Sequence, residues 1–112
     1  CSVQHLPGFI TNAGGLKDKG ADVVACISVN DPFVMAAWGK DRNAGEDVLM
    51  LSDGNAEFTS AIGLEMDGSG FGLGTRSQRY AMIIDDGVVS TLNVENGPAL
   101  EVSSAEAILE IL

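Results

Sequence analysis

Val24-Ala25-Cys26-Ile27-Ser28-Val29-Asn30-Asp31-Pro32-Phe33-Val34 is the stretch on which the fold turns. From Asp22 to Val29 the chain is a short, nearly continuous apolar run with valines and an isoleucine. Such a run reads as a strand buried on both faces, and it implies a parallel sheet. Asp31 and Pro32 then supply an N-cap and a proline at the first helical position, so a helix is predicted to run to about Lys40.

The pattern continues on both sides. Val48 to Leu51 is a second apolar strand, ended by the turn signal Ser52-Asp53-Gly54-Asn55, and a helix follows from about Ala56 to Ile62. The glycine-rich Asp67-Gly68-Ser69-Gly70-Phe71-Gly72-Leu73-Gly74 reads as loop. It lies between a helix and a strand, whereas a dinucleotide-binding glycine loop needs a strand before it and a helix after it, so its glycines are structural. Arg79–Ile84 and Val88–Val94 flank Asp85-Asp86-Gly87, the strongest hairpin signal in the chain. Ser103 with Glu106 forms a capping box before a final helix whose Ile108, Leu109, Ile111 and Leu112 are expected to face the core. Upstream, residues 2 to about 13 read as a helix with Cys1 at its start, closed by Gly14-Gly15 and kinked or divided at Pro7. The order is helix, strand, helix, strand, helix, hairpin, helix.

Composition narrows the function classes. With 112 residues the chain is one domain at most, and 46% hydrophobic with 20% charged residues is an ordinary globular balance. Sixteen acidic against six basic residues give a net charge of −10, which argues against nucleic acid and against anionic membranes. No apolar run is long enough for a transmembrane helix. No targeting signal is visible, though an upstream region could carry one. Two cysteines do not make a disulfide scaffold, and without Cys-x-x-Cys a thioredoxin-type dithiol is not expected. A reducing compartment, the cytoplasm or an organelle, fits best. With one histidine, a His/Cys metal site is not expected.

Cys1 is the candidate nucleophile. A cysteine at a helix start meets the positive end of the macrodipole and unpaired N–H groups, which favour the thiolate. His5, four residues on, shares its helical face and reads as an orienting residue rather than a base. Cys26, among Val23, Val24, Ile27 and Val29, reads as a buried strand thiol.

The opening Cys-Ser-Val-Gln-His-Leu-Pro-Gly-Phe, the Val24–Val34 segment, Ala37-Trp38-Gly39-Lys40, Thr75-Arg76-Ser77-Gln78-Arg79-Tyr80-Ala81-Met82 and the closing Val102-Ser103-Ser104-Ala105-Glu106-Ala107-Ile108-Leu109 together resemble a type II peroxiredoxin of the redoxin superfamily over the whole chain. Members carry Pro-x-x-x-Thr-x-x-Cys; here the cysteine is residue 1, so that proline and threonine have no counterpart. The resemblance implies a thioredoxin-like α/β sandwich with an inserted strand and helix. It also implies that the first strand or strands are missing from residues 1–112, the C-terminal two-thirds of a single domain.

By the same resemblance the chain is a thiol-dependent peroxidase that reduces hydrogen peroxide and alkyl hydroperoxides without a cofactor or metal. Cys1 is the peroxidatic nucleophile and passes through a sulfenic acid. Arg79 stabilises its thiolate and the leaving alkoxide, and His5, Pro7, Phe9 and Arg76 line or support the pocket. In the plant-like members a cysteine at the spacing of Cys26 has been assigned as the resolving partner, a second reading of this residue beside the inert thiol. Animal-type members place a resolving cysteine near the C-terminus, where this chain has Leu100-Glu101-Val102-Ser103. Glutathione, glutaredoxin or thioredoxin is then the expected reductant. A homodimer is expected by analogy, with Phe71, Leu73 and the region around Trp38 at its contact or at the pocket rim. Two rivals stand beside this reading: a catalytically impaired redox-sensing or interaction fragment, and a glutathione-linked oxidoreductase on the same fold, which the absence of Cys-x-x-Cys and Cys-x-x-Ser at Cys1 weakens.

Overall fold

The computed structural model describes residues 2–97 and 99–112. They form α1 (His5–Asp18), β1 (Ala25–Ser28), α2 (Pro32–Asp41), β2 (Leu49–Ser52), α3 (Glu57–Ala61), β3 (Glu65–Asp67), a 3₁₀ turn (Ser69–Phe71), β4 (Thr75–Ser77), β5 (Tyr80–Asp85), β6 (Val88–Val94) and α4 (Ala105–Ile111). These elements fall into two compact units. Ala25–Gln78 makes one, and Arg79–Leu112 with the described residues up to Val24 makes the other.

In the unit Ala25–Gln78, β1 and β2 pair in parallel with Cys26 opposite Met50, as the two apolar runs require. Asp31 is extended, its Oδ1 accepts the Val34 N–H at 2.8 Å, and Pro32 takes the first helical position, so α2 starts where the sequence predicts. Met35 and Gly39, four residues apart, are the buried positions of α2. Gly39 admits the sheet closely, because a Cβ there would stand 2.9 Å from Met50 Cγ. Val29, Met35, Ala44, Val48, Ala56 and Leu64 are the buried apolar side chains of this unit.

Two expectations here are corrected. The first strand is shorter than Asp22–Val29 and only half-buried, with Val23 65% exposed; Val23 precedes the ladder, and β1 has one paired neighbour among the described residues. The glycine-rich stretch is a loop, but it joins two strands rather than a helix and a strand: it is the tip of an antiparallel hairpin, with Glu65 opposite Ser77 and Asp67 opposite Thr75. The Gly68 N–H donates to Gly74 O at 2.7 Å, the Leu73 N–H donates to Gly68 O at 3.0 Å, and Gly72 and Gly74 have φ of 74° and 66°. A side chain at Gly68 would meet Leu73 Cβ at 2.9 Å, so the tip closes only on glycine. Strands of three residues with mostly polar side chains leave no periodic signal.

In the other unit, β5 and β6 form the predicted hairpin. Asp86 and Gly87 both have positive φ, 52° and 79°, the geometry of a type I′ turn. A bulge follows, since Ile83 pairs with Thr91 and Ile84 with Val89. Helices α1 and α4 pack together, joined by Lys19 Nζ donating to Leu109 O at 3.0 Å. Leu6, Ala13, Leu16, Ala81, Ala105 and Ile108 are buried.

Helix α1 differs from its expected bounds. Residues 2–4 are turn, and the helix runs unbroken through Pro7 and Gly14-Gly15 to Asp18. Pro7 is its third residue, where the missing N–H is one of the first four that have no intrahelical partner, so it does not divide the helix. Burial of Ala13 and Leu16 on either side of the glycine pair outweighs the roughly 1 kcal/mol per glycine of lost propensity. The helix stops at Gly20, φ 112°. Helix α4 is capped by Ser104, whose Oγ accepts the Ala107 N–H at 3.1 Å, and not by Ser103. Ile108 is buried as expected, whereas Ile111 and Leu112 are exposed, against expectation.

Candidate functional site

The last pair of the β5–β6 ladder is Tyr80 with Val94, and the chains stay together one step further, where the Glu95 N–H donates to Arg79 O at 2.9 Å. Arg79 therefore enters β5 with its backbone fixed. Its side chain is half-buried.

His5 opens α1 in the same unit, also half-buried. Its Nε2–H donates to Ser103 O at 2.8 Å, and its ring meets Phe9, one turn on, edge to face at 5.4 Å. Pro7 lies between them in the first turn, half-buried. Burial lowers the His5 pKa below its usual value. The Ser103 carbonyl opposes this, the Arg79 charge adds to it, and Glu95 opposes it. The result is a neutral imidazole with its proton on Nε2, beside a guanidinium that is always charged.

Ser103 is held by Glu95. The carboxylate Oε2 accepts the Ser103 hydroxyl at 2.6 Å and the N–H groups of Ser103, Val102 and Glu101 at 2.8, 2.9 and 3.0 Å. Burial alone would raise the Glu95 pKa, but these hydrogen bonds outweigh it and hold the carboxyl at about 2. Ser103 reads in the sequence only as a helix cap, and no sequence signal marks Glu95; a buried acid at a strand end looks like any surface glutamate until its donors are seen.

The structure thus brings together His5, Pro7, Phe9 and Arg79. Cys1 lies outside the described residues. Arg76 and Cys26 belong to the other unit. Arg76 Nη1 donates to Val29 O at 2.6 Å and Asn30 Oδ1 at 3.0 Å, and its Nε donates to Leu73 O at 2.9 Å, so the guanidinium is used in clamping the hairpin tip. Cys26 is half-buried, and burial pushes its thiol up to about 11. A thiol with that pKa is almost wholly protonated at neutral pH and a poor nucleophile. In the same unit, buried Asp53 accepts the Thr59 hydroxyl at 2.6 Å and the N–H groups of Thr59 and Phe58 at 2.8 and 3.1 Å, which secures the start of α3. Among the described residues no group of His, Cys, Asp and Glu could hold a metal ion. A fixed positive charge beside a neutral, oriented imidazole suits the stabilisation of an anion, and neither group is arranged to carry a proton away.

The family model described as Redoxin matches residues 1–109. Peroxiredoxin-2E, chloroplastic, of Arabidopsis thaliana is 55% identical over 114 residues, covering 100% of this chain and 49% of that protein. Peroxiredoxin-2D of the same plant is 51% identical over 112 residues, covering 100% of this chain and 69% of its own length. The chain spans about half the length of the chloroplastic relatives it matches. Among solved structures, reduced Prx3 of Vibrio vulnificus in complex with H2O2 superposes with a TM-score of 0.94 at 63% identity, over 99% of this chain and 71% of that one.

Proposed function

The chain belongs to the redoxin family, in its type II peroxiredoxin branch with the thioredoxin-like α/β fold, and from that membership we propose that it is a thiol-dependent peroxidase acting on hydrogen peroxide and alkyl hydroperoxides. The observation that carries the reading is the 63% identity, over nearly the whole chain, to a bacterial protein solved in complex with H2O2. The pairing of Arg79 with a neutral His5 supports it.

Cys1 is the nucleophile in this reading. Its thiolate sulfur attacks the terminal peroxide oxygen, an S–O bond forms as the O–O bond breaks, and the departing alkoxide takes a proton from water. The products are a cysteine sulfenic acid and an alcohol, or water when the substrate is hydrogen peroxide. Arg79 stabilises the negative charge first on sulfur and then on the departing oxygen, and it keeps its proton throughout. His5 orients the pocket together with Pro7 and Phe9. Two external thiols then reduce the sulfenic acid, returning the Cys1 thiol and releasing water and a disulfide. The protonated state of Cys26 favours this external route, by glutathione with glutaredoxin or by thioredoxin, over resolution by Cys26.

A homodimer belongs to the same proposal. Phe71 is 87% exposed and Leu73 is exposed beside it on the hairpin tip, a costly arrangement for side chains with no partner. No helix among the described residues is long and apolar enough to cross a membrane. The cytoplasm, a reducing compartment, is the proposed location.

Intact mass before and after one equivalent of hydrogen peroxide, with peptide mapping, tests the activity. Rapid gain of a single oxygen at Cys1, reversed by thiol, is expected; slow oxidation with no preference for Cys1 would overturn the reading.

A further inference from the structure

We propose that Glu95 is the positioning residue that fixes His5 and Arg79 with respect to each other, its backbone holding one and its carboxylate the other. The proposal rests on the peroxidase reading only for its effect on rate. One residue after β6, the Glu95 N–H donates to Arg79 O at 2.9 Å. Its side chain turns to the segment Glu101–Ser103, where three consecutive N–H groups and the Ser103 hydroxyl converge on Oε2. Consecutive amides that point inward form a nest, a concavity that favours an anion at its centre. Asn93 adds a second tie from the same strand, Nδ2 donating to Val102 O at 2.9 Å.

Pinned in this way, the segment presents Ser103 O to His5 Nε2–H at 2.8 Å. That acceptor selects the tautomer and sets the ring plane, and Phe9 closes against the ring edge. Arg79 and Glu95 are the charged side chains that act on the imidazole. A carboxamide at position 95 keeps the size of the side chain but loses the charge, so the nest relaxes and the carbonyl leaves its place.

Two readouts on the intact, untagged protein test this. His5 is the sole histidine of the sequence, so long-range proton–nitrogen spectra report its tautomer directly. Wild type is expected to show Nε2–H alone. Glu95→Gln is expected to show both tautomers and a second-order rate constant for hydrogen peroxide about tenfold lower. In a His5→Asn background the same Glu95→Gln change should leave the rate within about twofold while still lowering Tm, since non-additivity marks action through a shared residue.

A Glu95→Gln protein with pure Nε2–H and an unchanged rate would overturn the proposal. So would an equal loss of rate in the His5→Asn background. Should Glu95→Gln fail to fold, Ser103→Ala removes only the hydroxyl bond; it should give a smaller admixture of the second tautomer, and an unmoved tautomer there is a refutation. If wild type fails to turn over peroxide, the peroxidase reading falls, and the tautomer alone decides whether Glu95 holds His5.

Discussion

Lowering the pH should weaken this protein through Glu95 in a measurable way. The carboxyl stands at about 2 in the folded chain against an ordinary 4.5, because four hydrogen bonds favour its charged form over the burial that opposes it. A carboxyl depressed on folding contributes stability that is present in full above its unfolded pKa and is lost as pH falls toward the folded value. The window is therefore about 4.5 down to about 2. The full difference corresponds to about 3 kcal/mol, and about 2 kcal/mol of it is gone by about pH 3. With the residue only 8% exposed, solvent screening trims this figure little. Asp53 and Asp67 are depressed as well, so the wild-type curve alone does not isolate Glu95. The comparison with Glu95→Gln does, because the amide does not titrate. Urea unfolding followed by far-ultraviolet circular dichroism at about pH 6 and about pH 3 should find the gap between the two proteins narrower by about 2 kcal/mol at the lower pH. Parallel losses in both proteins would refute the linkage.

Arg79→Met should reduce the second-order rate constant for peroxide by about 10²–10³ in stopped-flow measurements, with little change in Tm, because in the proposed mechanism it removes a fixed charge from the reacting centre. Cys26→Ser should leave turnover with an external thiol within about twofold, since a thiol held at about 11 contributes no thiolate near neutrality. Asp53→Asn should lower stability by about 2 kcal/mol, read as a fall in Tm by calorimetry, because the Thr59 hydroxyl and two N–H groups lose a charged acceptor.

Much of the architecture was legible because local chemistry and tertiary packing agree. Asp31-Pro32 starts a helix and Asp86-Gly87 closes a hairpin whatever lies around them, and Cys26 and Leu51 sit in paired apolar strands as their neighbours suggest. Legibility failed where packing overrode local preference. Gly14-Gly15 should end a helix, yet buried Ala13 and Leu16 carry it on. Ser103 has the spacing of a cap, but its hydroxyl is drawn to Glu95 and Ser104 takes the role. At the site, the resemblance singles out Arg79 and His5, which the structure places in one unit. Glu95 is not singled out, because its place in the structure depends on donors contributed by residues six to eight positions further along the chain, and spacing of that kind has no period. The resemblance counts Arg76 among the residues that line or support the pocket; the three oxygen partners it has in its own unit carry no sequence signal, and they give it the task of tying the hairpin tip.

That task bears on how the surface of the chain meets other molecules. Loops that carry exposed aromatic rings usually freeze when something docks on them, and each long side chain immobilised at a contact subtracts roughly 0.5–1.5 kcal/mol from affinity. The tip that displays Phe71 is already tied at Leu73 by one guanidinium that also bonds Val29 and Asn30. Whatever covers Phe71 meets a loop with part of its ordering already supplied by the fold, so less of that cost falls on the contact.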